Sequence, residues 1–333
     1  MLTLSVLDQS VAVSGRTEDA SIRETLALAQ HCETLGYKRF WVSEHHSHPS
    51  IVGSAPEVLM AAIAATTSRI RIGSAGVMLP HYSALKVAEQ FRVLEALAPG
   101  RIDLGVGRAP GSDMRTARLL SSDPRQSAEN FPVQVRELQA WISGNDLPDG
   151  HPGHGVTANP TGPTTPELWM LGSSDYGAQL AAHYGLPYAF AWFITDGQGA
   201  EQALSLYRHL YRPSEQHPNA KPVLCVWALA ADTEEEAWHH FSGRERWKVD
   251  RNRGALGPLL SPQEVAARPY SPAEQVQADS LRRNALVGSG PQVADKLRAL
   301  AADLNVDEIV VITWTHDPAA RRRSYELLAR AFF

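Results

Sequence analysis

The sequence predicts a (β/α)8 barrel, and three features of the chain lead to this fold class. Eight short apolar segments with the character of β-strands alternate with segments of helical periodicity. Several of these strands run into loops that contain glycine, and the loops at the carboxyl ends of parallel strands are where ligands bind. A length of 333 residues suits one barrel with insertions, and the strand count favours a closed barrel over an open, doubly wound sheet.

Residues 69–111 form the clearest strand–helix–strand unit. Isoleucines alternate with arginines at its start, which is the period of a strand. Ser83 is predicted to cap a helix whose apolar residues recur at helical spacing, Val87, Phe91, Leu94 and Ala98. The next strand, 102–106, runs into Gly107 and Arg108. Both strands of the unit therefore end in glycine-bearing loops.

The remaining elements follow from the same patterns. Strands are predicted at residues 2–7, 40–43, from 69 onward, 102–106, 168–171, 188–193, 223–230 and 309–313. Helices are predicted before Gly36, and at 55–66, 83–98, 125–142, 174–184, 199–211, from 233, at 288–300 and at 318–331. Residues 144–165 are predicted to be a loop because they are rich in glycine and proline.

Residues 244–284 are polar and show weak periodicity. We expect them to form the largest insertion, between the seventh and eighth strands, and to act as a lid over the mouth of the barrel. Residues 1–333 then form a single domain.

Composition excludes several classes of partner. The net charge of −5 provides no basic field for nucleic acid and no polybasic membrane anchor. The longest apolar run, 223–231, is about half the length needed to span a bilayer. The amino-terminal residues lack the basic region of a signal peptide, and Cys32 and Cys225 are too far apart to form a disulfide framework. We therefore expect a soluble, cytoplasmic protein.

A cluster of ionisable residues follows the second strand: Glu44, His45, His46 and His48. Neighbouring side chains of an extended chain point to opposite sides, so these residues cannot easily share one metal with His45. The better interpretation is one active-site imidazole acting as a general acid or base. Two alternatives remain open: a metal-dependent hydrolase that uses the whole cluster, and loop histidines with structural hydrogen bonds.

Gly172, Ser173 and Ser174 lie between a predicted strand and a helix amino terminus. Backbone N–H groups and two hydroxyls at such a junction can bind an anion, although a plain helix cap explains the serines as well. Arg108, at the end of the neighbouring strand, could reach the same anion or could pair with Asp113 instead.

Two further features can be interpreted either as parts of a ligand site or as ordinary structural elements. Gly73 and Gly76, at the end of the third strand, would let a flat ligand approach the backbone, or would simply form a turn. Trp192 closes the sixth predicted strand, where it would form a wall of an aromatic cofactor site or part of the core.

Taken together, the motifs resemble the bacterial luciferase-like flavin monooxygenase family over nearly the whole chain. The segments that carry the resemblance are SEHH at 43–46, GVMLP at 76–80, GRIDLGVGRAPG at 100–111, LGSS at 171–174, GLPYAFAWF at 185–193 and VGSG at 287–290. Single-chain oxidoreductases of the family are more similar to this sequence than the subunits of light-emitting heterodimers.

The resemblance implies a TIM barrel that binds reduced FMN at its carboxyl-terminal mouth. It implies a monooxygenase that uses O2 to oxygenate a small organic substrate, with His45 as a general base beside the flavin. It also implies a separate reductase that supplies FMNH2, and a homodimer formed through helices near the second and third strands, including 55–66. Transfer of a hydride to or from the deazaflavin F420 on the same barrel, and flavin binding without catalysis, are the alternatives.

The resemblance also assigns the cofactor-binding residues. The isoalloxazine ring would lie against Gly76 and Val77, where family members often have a non-prolyl cis peptide, with Trp192 on one side. The phosphate would be bound by four residues, Arg108, Gly172, Ser173 and Ser174. Two positions depart from the light-emitting members, which have a cysteine in place of Gly107 and a glutamate in place of Ser173. The first departure argues against luminescence as the main function.

Overall fold

A closed ring of parallel strands forms the centre of the structure. The computed structural model describes residues 2–109 and 111–333, so Pro110 of the motif at 100–111 lies outside the described residues. The strands are β1 (Thr3–Asp8), β2 (Arg39–Val42), β3 (Arg71–Ser74), β4 (Val77–Met78), β5 (Ile102–Gly107), β6 (Glu167–Gly172), β7 (Tyr188–Phe190), β8 (Pro222–Ala231), β9 (Leu286–Ser289) and β10 (Glu308–Ile312). The ring runs β10-β1-β2-β3-β5-β6-β7-β8 and closes through parallel pairing of β8 with β10. The predicted (β/α)8 barrel is confirmed.

Helices fill the connections between the strands. They are α1 (Glu18–Leu35), α2 (Pro56–Thr66), α3 (Ala84–Leu97), α4 (Met114–Leu120), α5 (Pro124–Glu129), α6 (Phe131–Ser143), α7 (Asp175–Tyr184), α8 (Trp192–Thr195), α9 (Ala200–Leu210), α10 (Glu234–Asn252), α11 (Pro262–Ala266), α12 (Pro272–Arg283), α13 (Gly290–Asp303) and α14 (Pro318–Phe332). Gly36 ends α1 in the left-handed conformation at φ +90°, as its position predicts. No helix in the described ranges combines the length and the apolar character that crossing a membrane requires.

Successive side chains of each strand point alternately to the helices and to the barrel interior, which divides the apolar core into two parts. Leu4, Val6 and Phe40 belong to the part that packs against helix residues such as Leu28 and Met60. The intervening positions on the same strands face the barrel interior and form the second part, with Leu7, Trp41, Trp169, Cys225 and Val310. This period of two is the physical basis for the strand prediction, since each strand is buried on both faces.

The barrel interior is charged at the amino ends of the strands. Arg39 is 2% exposed, and its guanidinium donates to Asp103 (2.7 Å), Glu167 (2.9 Å) and Glu308 (2.9 Å). Arg71 adds a second donor to Asp103 at 2.5 Å. These residues come from β2, β3, β5, β6 and β10, so one ion-pair network ties together strands far apart in the sequence.

The structure departs from the sequence prediction between β8 and β10. The helix predicted to begin at residue 233 continues to Asn252, and α11, α12 and the short strand β9 follow. The continuation of α10 escaped detection because several of its buried residues are charged, namely Arg244, Glu245 and Lys248. Glu245, for example, is 1% exposed and accepts a hydrogen bond from Arg282. Hydrophobic periodicity is a weak signal where ion pairs replace apolar contacts.

We expect replacement of Arg39 to destabilise the barrel strongly. Burial alone would raise the pKa of the Glu167 and Glu308 carboxyls, but Arg39 and nearby lysines hold each pKa below its ordinary value. Arg39→Met would leave buried carboxylates without their cation and cost about 3–5 kcal/mol at pH 7. This loss of unfolding free energy, relative to the wild type, should become smaller toward pH 4. The carboxyls that lack Arg39 then bind protons more readily in the folded variant than in its unfolded chain. Urea unfolding at several pH values measures both effects.

Arg23→Met is the control for this prediction. Arg23 also pairs with a carboxylate, that of Asp19, but their side chains are 66% and 64% exposed. Because water screens an exposed pair of this kind, Arg23→Met should change stability much less than Arg39→Met. Equal effects of the two substitutions would contradict the role assigned to the buried network.

Candidate active site

A cavity of about 390 Å3 opens at the carboxyl ends of the barrel strands. Its walls come from the segments that follow β2, β3, β5, β6 and β7, together with residues of β8 and α10 and the segment after β10. Most of the lining is apolar, with polar groups at a few positions. This is the place and the composition expected of a ligand site in a (β/α)8 barrel.

Most of the residues predicted from the sequence meet in this cavity. The predicted residues that line it are His45, Gly76, Arg108, Gly172, Ser173 and Ser174. Val77 does not line it, because it pairs with Val106 of β5 and is buried in the outer core. Trp192 does not line it either. The chain leaves β7 at Phe190 and turns into α8 at Trp192, which sets Phe193 and Ile194 against the cavity and Trp192 in a neighbouring pocket.

Among the described residues, His45 is one of two imidazoles in the cavity wall, the other being that of His48. It is half-buried, with its backbone N–H donating to the Gly53 carbonyl at 2.9 Å and its Nδ1 3.4 Å from the Ser43 hydroxyl. Burial, and then the neighbouring His48 and His46 rings, lower the pKa of His45 to about 4. A neutral imidazole at pH 7 can accept a proton or a hydrogen bond from a ligand.

Glu44 and His46 have a different arrangement from the one a metal site requires. Glu44 is 1% exposed and accepts hydrogen bonds from the Met78 backbone at 3.1 Å and the Tyr82 hydroxyl at 2.7 Å. His46 Nε2 lies 2.7 Å from the same carboxylate. In residues 2–109 and 111–333, no three His, Cys, Asp or Glu side chains are grouped so that they could hold a metal ion. The metal-hydrolase hypothesis gains no support, and Glu44 joins the segment after β2 to the one after β3.

The junction of β6 and α7 has the features of an anion site. Ser174 is the N-cap of α7, and its hydroxyl makes no capping hydrogen bond. The first N–H groups of the helix therefore point outward without intrahelical partners. Gly172 and Gly177 approach closely here, since a Cβ on Gly177 would lie 3.8 Å from the Gly172 Cα. The local backbone presents donors to the cavity with no side chain at these two glycines.

Arg108 lies beside this junction. Its guanidinium stacks over the Tyr176 ring of α7 at 4.0 Å, and its side chain is exposed. The alternative pairing with Asp113 does not occur, because the Asp113 carboxylate caps α4 by accepting from the Thr116 N–H at 2.7 Å. Arg108 therefore lies with its positive charge next to the helix amino terminus.

The segment after β3 forms a backbone wall of the cavity. The peptide bond between Ala75 and Gly76 is cis, one residue before the segment Gly76–Val77 to which the resemblance points. A Cβ on Gly76 would lie 2.8 Å from the Gly105 carbonyl oxygen, which leaves no room for a side chain. A flat ligand could lie against this wall in direct contact with the main chain.

Sequence reasoning missed the opposite wall, which is aromatic and basic. Its members are Trp227 of β8, Arg244, Trp247 and Arg251 of α10, and Trp314 after β10. Two signals could have found them. Trp314 directly follows a barrel strand, and positions 244, 247 and 251 share one face of a helix.

Comparison with known proteins agrees with this geometry. The family model for luciferase-like monooxygenases matches residues 2–308. A luciferase-like monooxygenase of Escherichia coli is 37% identical over 98% of this chain and 96% of its own length. The N-acetyl-S-alkylcysteine monooxygenase of Bacillus subtilis is 37% identical over 99% of this chain and 98% of its own length.

Solved structures show the same fold. Apo-MsnO8 has a TM-score of 0.90 at 37% identity, covering 100% of this chain and 98% of that one. The oxygenating constituent of the Pseudomonas putida 3,6-diketocamphane monooxygenase, in complex with FMN, has a TM-score of 0.74 at 20% identity and covers 99% and 97% of the two chains. An F420-dependent secondary alcohol dehydrogenase has a TM-score of 0.69 at 13% identity, over 100% and 99%.

The last two likenesses show the fold alone. The family model and the relatives at 37% identity carry the assignment, because they cover nearly the entire chain. The protein is a member of the luciferase-like monooxygenase family and an oxidoreductase of the monooxygenase class.

Proposed function

We propose that the protein binds reduced FMN and uses O2 to oxygenate a small organic substrate, with His45 as the proton acceptor. The observation that carries the proposal is that one cavity brings together the Ala75–Gly76 backbone, the His45 imidazole and the uncapped start of α7. A separate reductase would supply the reduced flavin, and we expect the protein to act as a homodimer.

The residues present suit a flavin mononucleotide. A flat ring can lie against the main chain at Ala75–Gly76, which lines the cavity and carries no side chain larger than a methyl group. The uncapped start of α7 and the Ser174 hydroxyl suit a phosphate, and Arg108 adds a guanidinium. The apolar walls would exclude water from the ring. Reduced FMN, when bound, supplies the electrons that activate O2.

His45 has a defined task in this arrangement. Its pKa of about 4 keeps the imidazole neutral throughout the physiological range, so it is ready to accept a proton from the cofactor or the substrate. The contact with the Ser43 hydroxyl and the bond from its main-chain N–H limit the orientation of the ring. Segment 244–284 contributes Arg244, Trp247 and Arg251 to the cavity wall, which supports its proposed role as a lid.

FMN is favoured over F420 by charge. F420 carries an anionic oligoglutamate tail that would require a basic rim, whereas the net charge of the chain is −5. Both cofactors occur among the structural neighbours, in the diketocamphane monooxygenase and in the secondary alcohol dehydrogenase. Binding of the two by the purified protein decides between them: F420 bound more tightly than FMN would replace the proposal by hydride transfer.

We expect Arg108→Met to weaken FMN binding about tenfold, because a charge-assisted contact to the phosphate is lost from an exposed position. Riboflavin, which lacks the phosphate, should bind equally to both proteins. Fluorescence titration measures both affinities.

The matched control is Arg115→Met, which removes an exposed arginine from the nearby helix α4 and should leave both affinities unchanged. An equal loss of riboflavin and FMN affinity in Arg108→Met would show that the arginine does not act on the phosphate.

We also expect turnover in the presence of FMN, a flavin reductase and O2. A suitable panel contains aldehydes, sulfonates, ketones and sulfides, including N-acetyl-S-alkylcysteines, which the name of the Bacillus subtilis relative indicates for that enzyme. One oxygen atom of the product should come from 18O2, as mass spectrometry would show. Flavin binding without any labelled product across the panel would favour a non-catalytic flavin protein.

His45→Gln should lower kcat by about 10²–10⁴-fold while FMN affinity stays within twofold. Because the pKa of His45 is about 4, wild-type activity should be independent of this residue's titration from pH 6 to 8 and fall below pH 5. His209→Gln, at an exposed position, is the control. Unchanged kcat in His45→Gln would exclude the proposed role.

A further inference from the structure

A buried arginine lies inside a cage of three tryptophans on the wall of the cavity formed by β8, α10 and the segment after β10. Arg244 is 6% exposed, and its guanidinium carbon lies 5.4 Å from the Trp227 ring, 5.2 Å from Trp247 and 5.2 Å from Trp314. Each distance is within the range of a cation–π contact. All four residues line the cavity, and we call them the aromatic cage.

The guanidinium of the cage has no anion of its own. Within the described ranges, no hydrogen bond or ion pair joins Arg244 to another residue, and its buried Nε has no acceptor. Asp196, the acidic group that partly stabilises its charge, is already ion-paired with Lys248. The three indole faces offset part of the cost of burying this cation, and a bound anion would offset more of it.

Two tryptophans of the cage are also donors without acceptors. The Nε1 atoms of Trp227 and Trp314 are buried and have no hydrogen-bond partner among residues 2–109 and 111–333. The third, Trp247, donates to the Ser50 hydroxyl at 2.7 Å, which holds its ring in place. The Arg244 Nε–H and two indole N–H groups of the cage are therefore buried donors that no described residue satisfies. Burial lowers the pKa of Arg244 only to about 10, so the guanidinium is charged at neutral pH.

The cage lies across the barrel from the proposed phosphate site. In the closed ring, β10 is four strands from β5, and β8 is four strands from β3. Trp314 follows β10, whereas Arg108 follows β5 on the opposite side. A flavin whose phosphate lies at Arg108 and the start of α7 cannot place that phosphate at Arg244. An anion bound at Arg244 would therefore be a different one.

We propose that the aromatic cage is a recognition site for the carboxylate of the organic substrate, with Arg244 as its binding residue. The planar guanidinium matches a carboxylate in geometry. Small rotations of the buried Trp227 and Trp314 rings would bring their unsatisfied indole N–H groups to it as further donors. The indole faces and the apolar cavity wall receive the carbon skeleton of the same molecule. This inference rests on the proposed function, since it defines the substrate class of that site: an organic acid with an apolar body.

Equilibrium binding tests the proposal without turnover. The probes are 3-phenylpropanoate and 3-phenylpropanamide, which share a shape and differ in charge, titrated by calorimetry into the FMN-loaded protein. We expect the acid to bind at least tenfold more tightly than the amide. Arg244→Met should abolish this preference and leave the amide affinity within twofold.

Two further variants complete the test. Trp314→Phe keeps an aromatic ring and removes one N–H donor, so the acid should lose two- to tenfold in affinity while the amide is unaffected. Arg253→Met removes a 57% exposed arginine at the end of the same helix and should preserve the acid preference. Equal binding of acid and amide by the wild type, or a preference retained in Arg244→Met, would overturn the proposal.

FMN binding separates this inference from the proposed function. The FMN dissociation constant should be the same in Arg244→Met as in the wild type, and a tenfold rise would assign Arg244 to the cofactor and overturn the proposal. If the wild type binds no FMN, the proposed function fails. The same acid and amide titration on the protein without cofactor then still decides the role of Arg244.

Discussion

Arg39 and the carboxylates around it determine how the strands of the barrel meet. The guanidinium donates to Asp103, Glu167 and Glu308, which lie 64 to 269 residues from Arg39 in the sequence. A shift of any one strand by a residue would turn its carboxylate to the outer face and leave a buried charge unpaired. The register of the ring is thus specified electrostatically at its amino ends. The positions of the loops at the other end follow from that register.

The register of the strands determines which residues line the cavity. The segments that carry the Ala75–Gly76 backbone, His45 and the start of α7 each follow a strand that the Arg39 ion-pair network holds at its amino end. These groups therefore meet without depending on contacts between the loops alone. The cavity also has two charged sides. Arg108 lies at one side and Arg244 at the other, with the neutral His45 contributed by a third segment. Such a division would suit the phosphate and the separate organic anion that we propose for the two sides.

Several site residues could be predicted because they follow strands directly. His45, Arg108 and Ser174 each lie within a few residues of a strand end, and parallel strands bring their carboxyl ends to one edge. Trp192 shows the limit of this rule. The predicted strand continued to residue 193, but β7 ends at Phe190, and the turn into α8 rotates Trp192 out of the cavity. A difference of a few residues in the end of a strand therefore decides which aromatic ring faces the cavity.

The sequence by itself determined the barrel, the order of its elements and the segments that surround the mouth, because burial on both faces of a strand and on one face of a helix leaves a periodic signal in the chain. Only the tertiary structure decided which side chains share a space. Arg244 shares a helix face with Trp247 and Arg251, but the sequence of this polar segment does not show which of its arginines is ion-paired, as Arg246 is with Asp250. Its neighbours Trp227 and Trp314 come from the preceding strand and from a loop after the last strand. Contacts of this kind depend on distance in space, which the spacing of residues in the sequence does not reveal.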